Sequence, residues 1–169
     1  MGFFSWLFSQ PNPPQLPKVN TILPDAAVQE INNGRLPRLN TDTIFTQKGE
    51  HIHYIDKAIM LKEKTKKHYQ SRHTGVSMPG LFKGDRVHFG GGTAEPIEEI
   101  VTEQFKGILY VTNKRVIFVS KDHGFDKPYK NLSAVTPYSN GIELQYGSTT
   151  YSLLVPDGNL LYKVFKIIN

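Results

Sequence analysis

Residues 107–120, GILYVTNKRVIFVS, carry apolar side chains at nearly every position of two short runs that flank a polar centre. With Asn113 and Lys114 at the tip, the spacing predicts an antiparallel hairpin. Val111 then faces Val116 and Leu109 faces Phe118 on one side, while Tyr110 meets Ile117 and Ile108 meets Val119 on the other. Antiparallel sheets commonly keep one face wet. Covering one large apolar side chain is worth about 1.5–3 kcal/mol, so two apolar faces predict that both are buried. One face would turn into a small barrel or sandwich. The other would lie under the C-terminal helix, a helix at Ala26–Ile31, or a second subunit.

The same pattern extends outward from this hairpin. Pro24 and Asp25 followed by Ala26, Ala27, Val28 and Ile31, with Gly34 as a stop, predict one short helix over 24–34. RLPRLNTDTIFTQKGE then reads as a loop with an extended piece near 43–46. From His51 the chain reads mainly as short strands. HIHYIDKAIML and KKHYQSRHTGVSM predict a strand, a loop and a strand, DRVHFGGG a brief strand, and PIEEIVTEQFKG the approach to the hairpin. Asn140-Gly141 predicts a tight hairpin turn with positive φ at its centre, and Gly147-Ser148 predicts a second turn before TTYSLLV. About five strands are expected between 107 and 155. Asp157 then caps a helix whose Leu160, Leu161, Val164, Ile167 and Ile168 recur at helical spacing.

The amino terminus follows neither period. Phe3, Phe4, Trp6, Leu7 and Phe8 crowd into six positions, and QPNPPQLPKVN follows as an extended, proline-rich connector. Three fates compete for the five side chains: a membrane interface, packing on the second apolar face or on a neighbouring copy, and docking on a partner protein. The segment lacks the cations of an interfacial anchor. Its apolar run is too short for a signal peptide and has no basic region before it. Trp6 stands where a myristoylation pattern needs Ser or Thr. The composition thus divides the chain into a tail and linker (1–20), a helix and connector (21–47) and a main domain (48–169).

Charge and chemistry narrow the function less than the pattern narrows the fold. Twenty Lys and Arg against fifteen Asp and Glu give +5, a mild bias toward acidic surfaces. Cysteine is absent, which removes disulfides and thiolate metal sites. No stretch approaches the ~18 apolar residues of a membrane span. The cations are not arrayed on a helix and no aromatic-basic RNA motif occurs, so nucleic acid is disfavoured.

GILYVTNKRVIFVS, PYKNLSAVTPYSNGIEL, the closing helix after LLVPDG and the upstream KGEHIHYIDKAIMLKEKT together resemble the bacterial pleckstrin-homology-like and GRAM-like domains. The resemblance covers about 48–169. It implies a mainly β fold: a strongly bent antiparallel sheet of about seven strands, a partial barrel, capped by the C-terminal amphipathic helix. It implies no reaction, because members bind lipids, peptides or proteins.

Within KAIMLKEKTKKHYQSR, Lys62, Lys64, Lys66, Lys67 and Arg72 form the candidate ligand or lipid-binding set, against the plain alternative of a charged strand edge that discourages aggregation. The Lys/Arg-x-Arg ending of inositide-binding relatives is missing, since Gln70 and Ser71 precede Arg72. Phe3, Phe4, Trp6, Leu7 and Phe8 form the candidate membrane or partner docking set. His51 and His53 would share a strand face. No adjacent acidic pair or cysteine completes a zinc set, so they read as surface histidines. Gly90–Gly92 lacks the Gly-Lys-Ser/Thr of a phosphate loop and reads as a turn. The expectation is therefore a non-enzymatic, cofactor-free adaptor in the cytoplasm or at the inner face of the membrane. It would hold an acidic membrane surface or a partner protein, with a homo-oligomer compatible. The alternative is an inhibitor or assembly factor that binds protein and no lipid.

Overall fold

A computed structural model describes residues 2–13, 15–73, 76–79, 86–89 and 92–169, and between 70 and 95 the backbone alone. The elements in chain order are helix α1 (Phe3–Phe8), helix α2 (Asp25–Asn32) and strand β1 (Ile52–His73). Strands β2 (Val76–Pro79), β3 (Arg86–Phe89), β4 (Gly92–Thr112), β5 (Arg115–Ser120) and β6 (Phe125–Pro128) follow. A 3-10 turn (Tyr129–Asn131) leads to β7 (Ala134–Tyr138), β8 (Gly141–Tyr146), β9 (Thr149–Leu154) and helix α3 (Gly158–Ile168). By compactness the chain forms two units. One holds residues 1–62 and 104–169, and the other holds 63–103.

Seven strands form one antiparallel sheet in the order β6-β5-β4-β1-β9-β8-β7, and β2 pairs with β3 separately. The sheet is not closed. The mainly β architecture with a terminal capping helix matches the sequence expectation. So does the hairpin register, with Val111 opposite Val116, Leu109 opposite Phe118, Tyr110 opposite Ile117 and Ile108 opposite Val119. Asp157 caps α3 by accepting the Leu160 amide at 3.0 Å. Gly147 turns β8 into β9 at φ +61°, with Tyr146 opposite Thr149.

One face of the sheet holds the main core. Leu109, Val111, Val116 and Phe118 from the hairpin join Tyr54, Met60, Ile142, Leu144 and Leu153 there. Both helices named as covers lie on this same side: Ala27 and Ile31 of α2 and Leu161, Val164 and Phe165 of α3 belong to the same cluster. The opposite face of β1 and β9 is covered by the amino-terminal segment, whose packing on the domain was one of the three fates its sequence left open. Phe4 packs with Ile59, Leu61 and Leu154, and Phe3, Leu16, Val19 and Tyr138 close around them. On the hairpin's own second face Tyr110 and Ile117 are buried, while Val119 stays exposed.

Two local expectations are corrected. Tyr138 pairs with Gly141, so the β7–β8 turn is Ser139-Asn140 and not Asn140-Gly141, and Gly141 does not have positive φ. Glycine is needed at 141 for space: a Cβ there would lie 2.7 Å from the Phe4 ring and 3.0 Å from the Leu153 carbonyl. The second correction concerns the basic stretch, expected as strand, loop and strand. It is one unbroken 22-residue strand, β1, hydrogen-bonded to the 21-residue β4. Consecutive polar residues carry no turn chemistry there, and residues 62–69, exposed on both faces of the strand, show no apolar period to reveal its length.

Candidate functional site

Residues 45–51 and the Thr-Asn-Lys-Arg turn of the β4–β5 hairpin meet in space. Thr112 ends β4, and its hydroxyl accepts the Lys114 amide at 3.0 Å and the Arg115 amide at 2.9 Å while donating to Glu50 Oε1 at 2.8 Å. That uses the full capacity of a hydroxyl. Asn113 accepts the His51 amide at 2.8 Å and donates to the Gly49 carbonyl at 3.1 Å. Arg115 donates from Nε to Glu50 at 2.9 Å, from Nη1 to Asp126 and from Nη2 to the Phe45 carbonyl. Glu50 also accepts the Gln47 amide at 2.6 Å. The Thr-Asn-Lys-Arg turn is thus a clasp that fixes residues 45–51 on the β4–β5 hairpin.

The Glu50 side chain is fully buried, and that of Arg115 is 15% exposed. Burial alone would raise the Glu50 carboxyl. Hydrogen bonds from Arg115, the Gln47 amide and Thr112 outweigh it and hold the group below the ordinary carboxylate range. The same bond raises Arg115 against the opposing effect of burial.

Two further buried carboxylates do similar work. Asp56 on β1 accepts the Thr21 hydroxyl at 2.6 Å and the Ile22 amide at 2.7 Å, anchoring the approach to α2. Glu143 on β8 accepts the Phe4 amide at 2.9 Å and the Tyr138 hydroxyl at 3.4 Å, anchoring α1. Each of the three ties a segment preceding β1 to the sheet.

The sequence-derived site residues separate under this geometry. Phe4 and Leu7 are buried and so are not available for docking in this conformation. Their helix brings both to one side, the Phe4 ring lies tilted against Tyr138 with centroids 4.8 Å apart, and its amide is held by Glu143. Phe3 is half-buried, and Trp6 and Phe8 are exposed. The five do not form one outward surface.

Lys62, Lys64, Lys66 and Lys67 are exposed on β1. Lys64 pairs with Glu103 at 3.1 Å, Lys67 with Glu98 at 3.3 Å and His68 with Glu99 at 3.6 Å. Arg72 also lies on β1, with its side chain outside the described residues. The window that looked basic along the sequence is balanced by carboxylates from β4: residues 63–103 hold six Lys and Arg and six Asp and Glu. The whole +5 therefore belongs to the other unit.

His51 precedes β1 and is exposed, whereas His53 is buried with Nδ1 donating to the Pro37 carbonyl at 2.8 Å, a correction to its reading as a surface histidine. Among the described residues no three His, Asp or Glu side chains gather as a metal set. Gly90 and Gly91 lie outside the described residues.

Sequence reasoning missed the exposed apolar groups. Tyr69 is 73% exposed, Ile100 58% and Ile97 47%, all within 63–103, and Phe45 in the clasped loop is 93% exposed. The Lys67–Glu98 pair places these two residues on one ribbon face, and alternation puts Tyr69 and Ile100 there too. No model of a protein family, no curated protein and no solved structure matches the chain.

Proposed function

We propose that the protein is a non-enzymatic binding module directed at a partner protein, and that residues 63–103 carry the binding surface. This is the second of the two readings from the sequence, and it now has the better support. One observation carries it: Tyr69 and Ile100 stand exposed on one face of a strand pair whose own charges are balanced. A two-stranded ribbon is marginal in water by itself. Large apolar side chains displayed on one suit a surface that is completed by another protein. Ion pairs around them set register and selectivity more than affinity.

The lipid reading has less support, since Phe4 and Leu7 are buried and Lys64 and Lys67 pair with glutamates. A likeness to pleckstrin-homology-like domains remains part of the proposal, supported by the seven-stranded sheet and terminal helix that such a likeness implies.

Affinity purification from the cells that make the protein tests the reading. Wild type is expected to recover a partner in near-equal amount, and Tyr69→Ser/Ile100→Ser to lose it while keeping the wild-type melting temperature. Retention of the same partner by the double variant would overturn the assignment. So would flotation of the protein on anionic vesicles that persists in this variant.

A further inference from the structure

The other unit carries a separate concave surface beside the clasp. Gln47, Lys114, Arg115, Asp126 and Lys130 are among the residues that line a cavity of about 710 Å³ that opens to solvent. Its two acidic neighbours are already used: Glu50 and Asp126 both pair with Arg115. The Lys114 ammonium donates to the neutral carbonyl of Lys48, and neither it nor Lys130 is in an ion pair among the described residues. Lys114, Arg115 and Lys130 thus set three positive charges against the two carboxylates of Glu50 and Asp126, which leaves the cavity net positive, on the unit that holds the chain's entire excess.

Phe45, whose carbonyl accepts from Arg115, presents its ring to solvent from a loop that Arg115 and Glu50 hold in place. An exposed aromatic side chain on an immobilised backbone has already lost part of the entropy that ordering would cost on binding.

We propose that this cavity binds an acidic segment of a protein, with carboxylates against Lys114 and Lys130 and an apolar side chain against Phe45. A peptide fits better than a bilayer for two reasons on the surface itself. The cations line a concavity, which admits side chains and keeps a flat array of head groups at a distance. The lining also offers the side-chain amide of Gln47, a group that suits a peptide backbone. Specificity comes from charge, and only one apolar contact is required. The site does not depend on residues 63–103.

The test is fluorescence anisotropy on the full chain at low salt. The probes are a fluorescein-labelled Glu-Glu-Phe-Glu-Glu peptide and its Lys-Lys-Phe-Lys-Lys counterpart. The acidic peptide is expected to bind and the basic one not. Lys114→Gln/Lys130→Gln should weaken binding about fivefold, at roughly half a kcal/mol for each exposed charge contact. Phe45→Ser should weaken the same peptide but leave an all-Glu peptide unchanged. Tyr69→Ser/Ile100→Ser should bind as wild type does, which separates this site from the surface on 63–103. Equal affinity of wild type and the double lysine variant would overturn the proposal. Sedimentation with phosphatidylglycerol vesicles that is lost in both the lysine and Phe45 variants, without peptide binding, would assign the face to a membrane and overturn it as well.

Discussion

Replacing Arg115 by Met should be among the most damaging single changes outside the apolar core. The variant keeps the length and much of the volume of the side chain but removes every donor. Glu50 is then left as a carboxylate with no exposed surface, holding only the Thr112 hydroxyl and the Gln47 amide. Stranding one partner of a buried ion pair costs about 3–5 kcal/mol. The lower end applies here, because two hydrogen bonds survive and because the carboxyl can escape by taking a proton at 1.36 kcal/mol per unit of pKa displaced. The expected loss is therefore about 3 kcal/mol at pH 7.

The pH dependence follows from the same geometry. In the wild type Glu50 is held below its unfolded pKa, so its contribution is complete above about pH 4.3 and falls away as pH drops through the lower folded value. In the variant the carboxyl is buried without its cation and its folded pKa rises. Its deficit should accordingly be largest at pH 7 and shrink toward pH 4. Equilibrium urea unfolding at pH 7 and pH 5 reads both quantities. The double variant Glu50→Leu/Arg115→Met should recover to within about 2 kcal/mol of wild type, since apolar replacement of a whole buried pair is often near neutral. A loss below about 1 kcal/mol for Arg115→Met, or a double variant no more stable than the single, would refute the clasp as the element that holds residues 45–51.

Three other outcomes follow from packing. Phe4→Ala should cost about 3 kcal/mol, the low end for a buried phenylalanine, since a six-residue helix can detach as a unit; thermal unfolding together with proteolysis of residues 1–9 would report it. Gly141→Ala should destabilise by about 1–3 kcal/mol by pushing against the Phe4 ring, and combining it with Phe4→Ala should abolish most of that cost. Leu109→Ala should lose about 2–5 kcal/mol, and unchanged urea unfolding would contradict the burial assigned to the inward hairpin face.

The hairpin was legible because its two runs obey a two-residue period around a turn with one available register. Helix α3 was legible because Asp157 and the spacing of Leu161, Val164 and Ile168 agree. The failures have physical causes. Asn140-Gly141 carries a turn signature, but Gly141 answers to Phe4, 137 positions away in sequence, and local rules cannot register such a contact. Lys62 to Arg72 looked basic because the compensating Glu98, Glu99 and Glu103 lie on a different strand. The five aromatic and aliphatic residues at 3–8 looked like one surface. A helix of that length splits them, and only the tertiary partners Ile59, Leu61 and Leu154 decide which go inside. Phe45 and Tyr69 gave no signal, since a lone exposed aromatic residue has no period.

Site-specific photo-crosslinking tests the central claim most directly. A benzoylphenylalanine placed at position 69, and in a separate protein at position 6, would be illuminated in the cells that naturally make the protein. Binding through residues 63–103 predicts a discrete protein adduct from position 69 and none from position 6. An adduct from position 6 alone, or lipid as the sole product at either position, would contradict it.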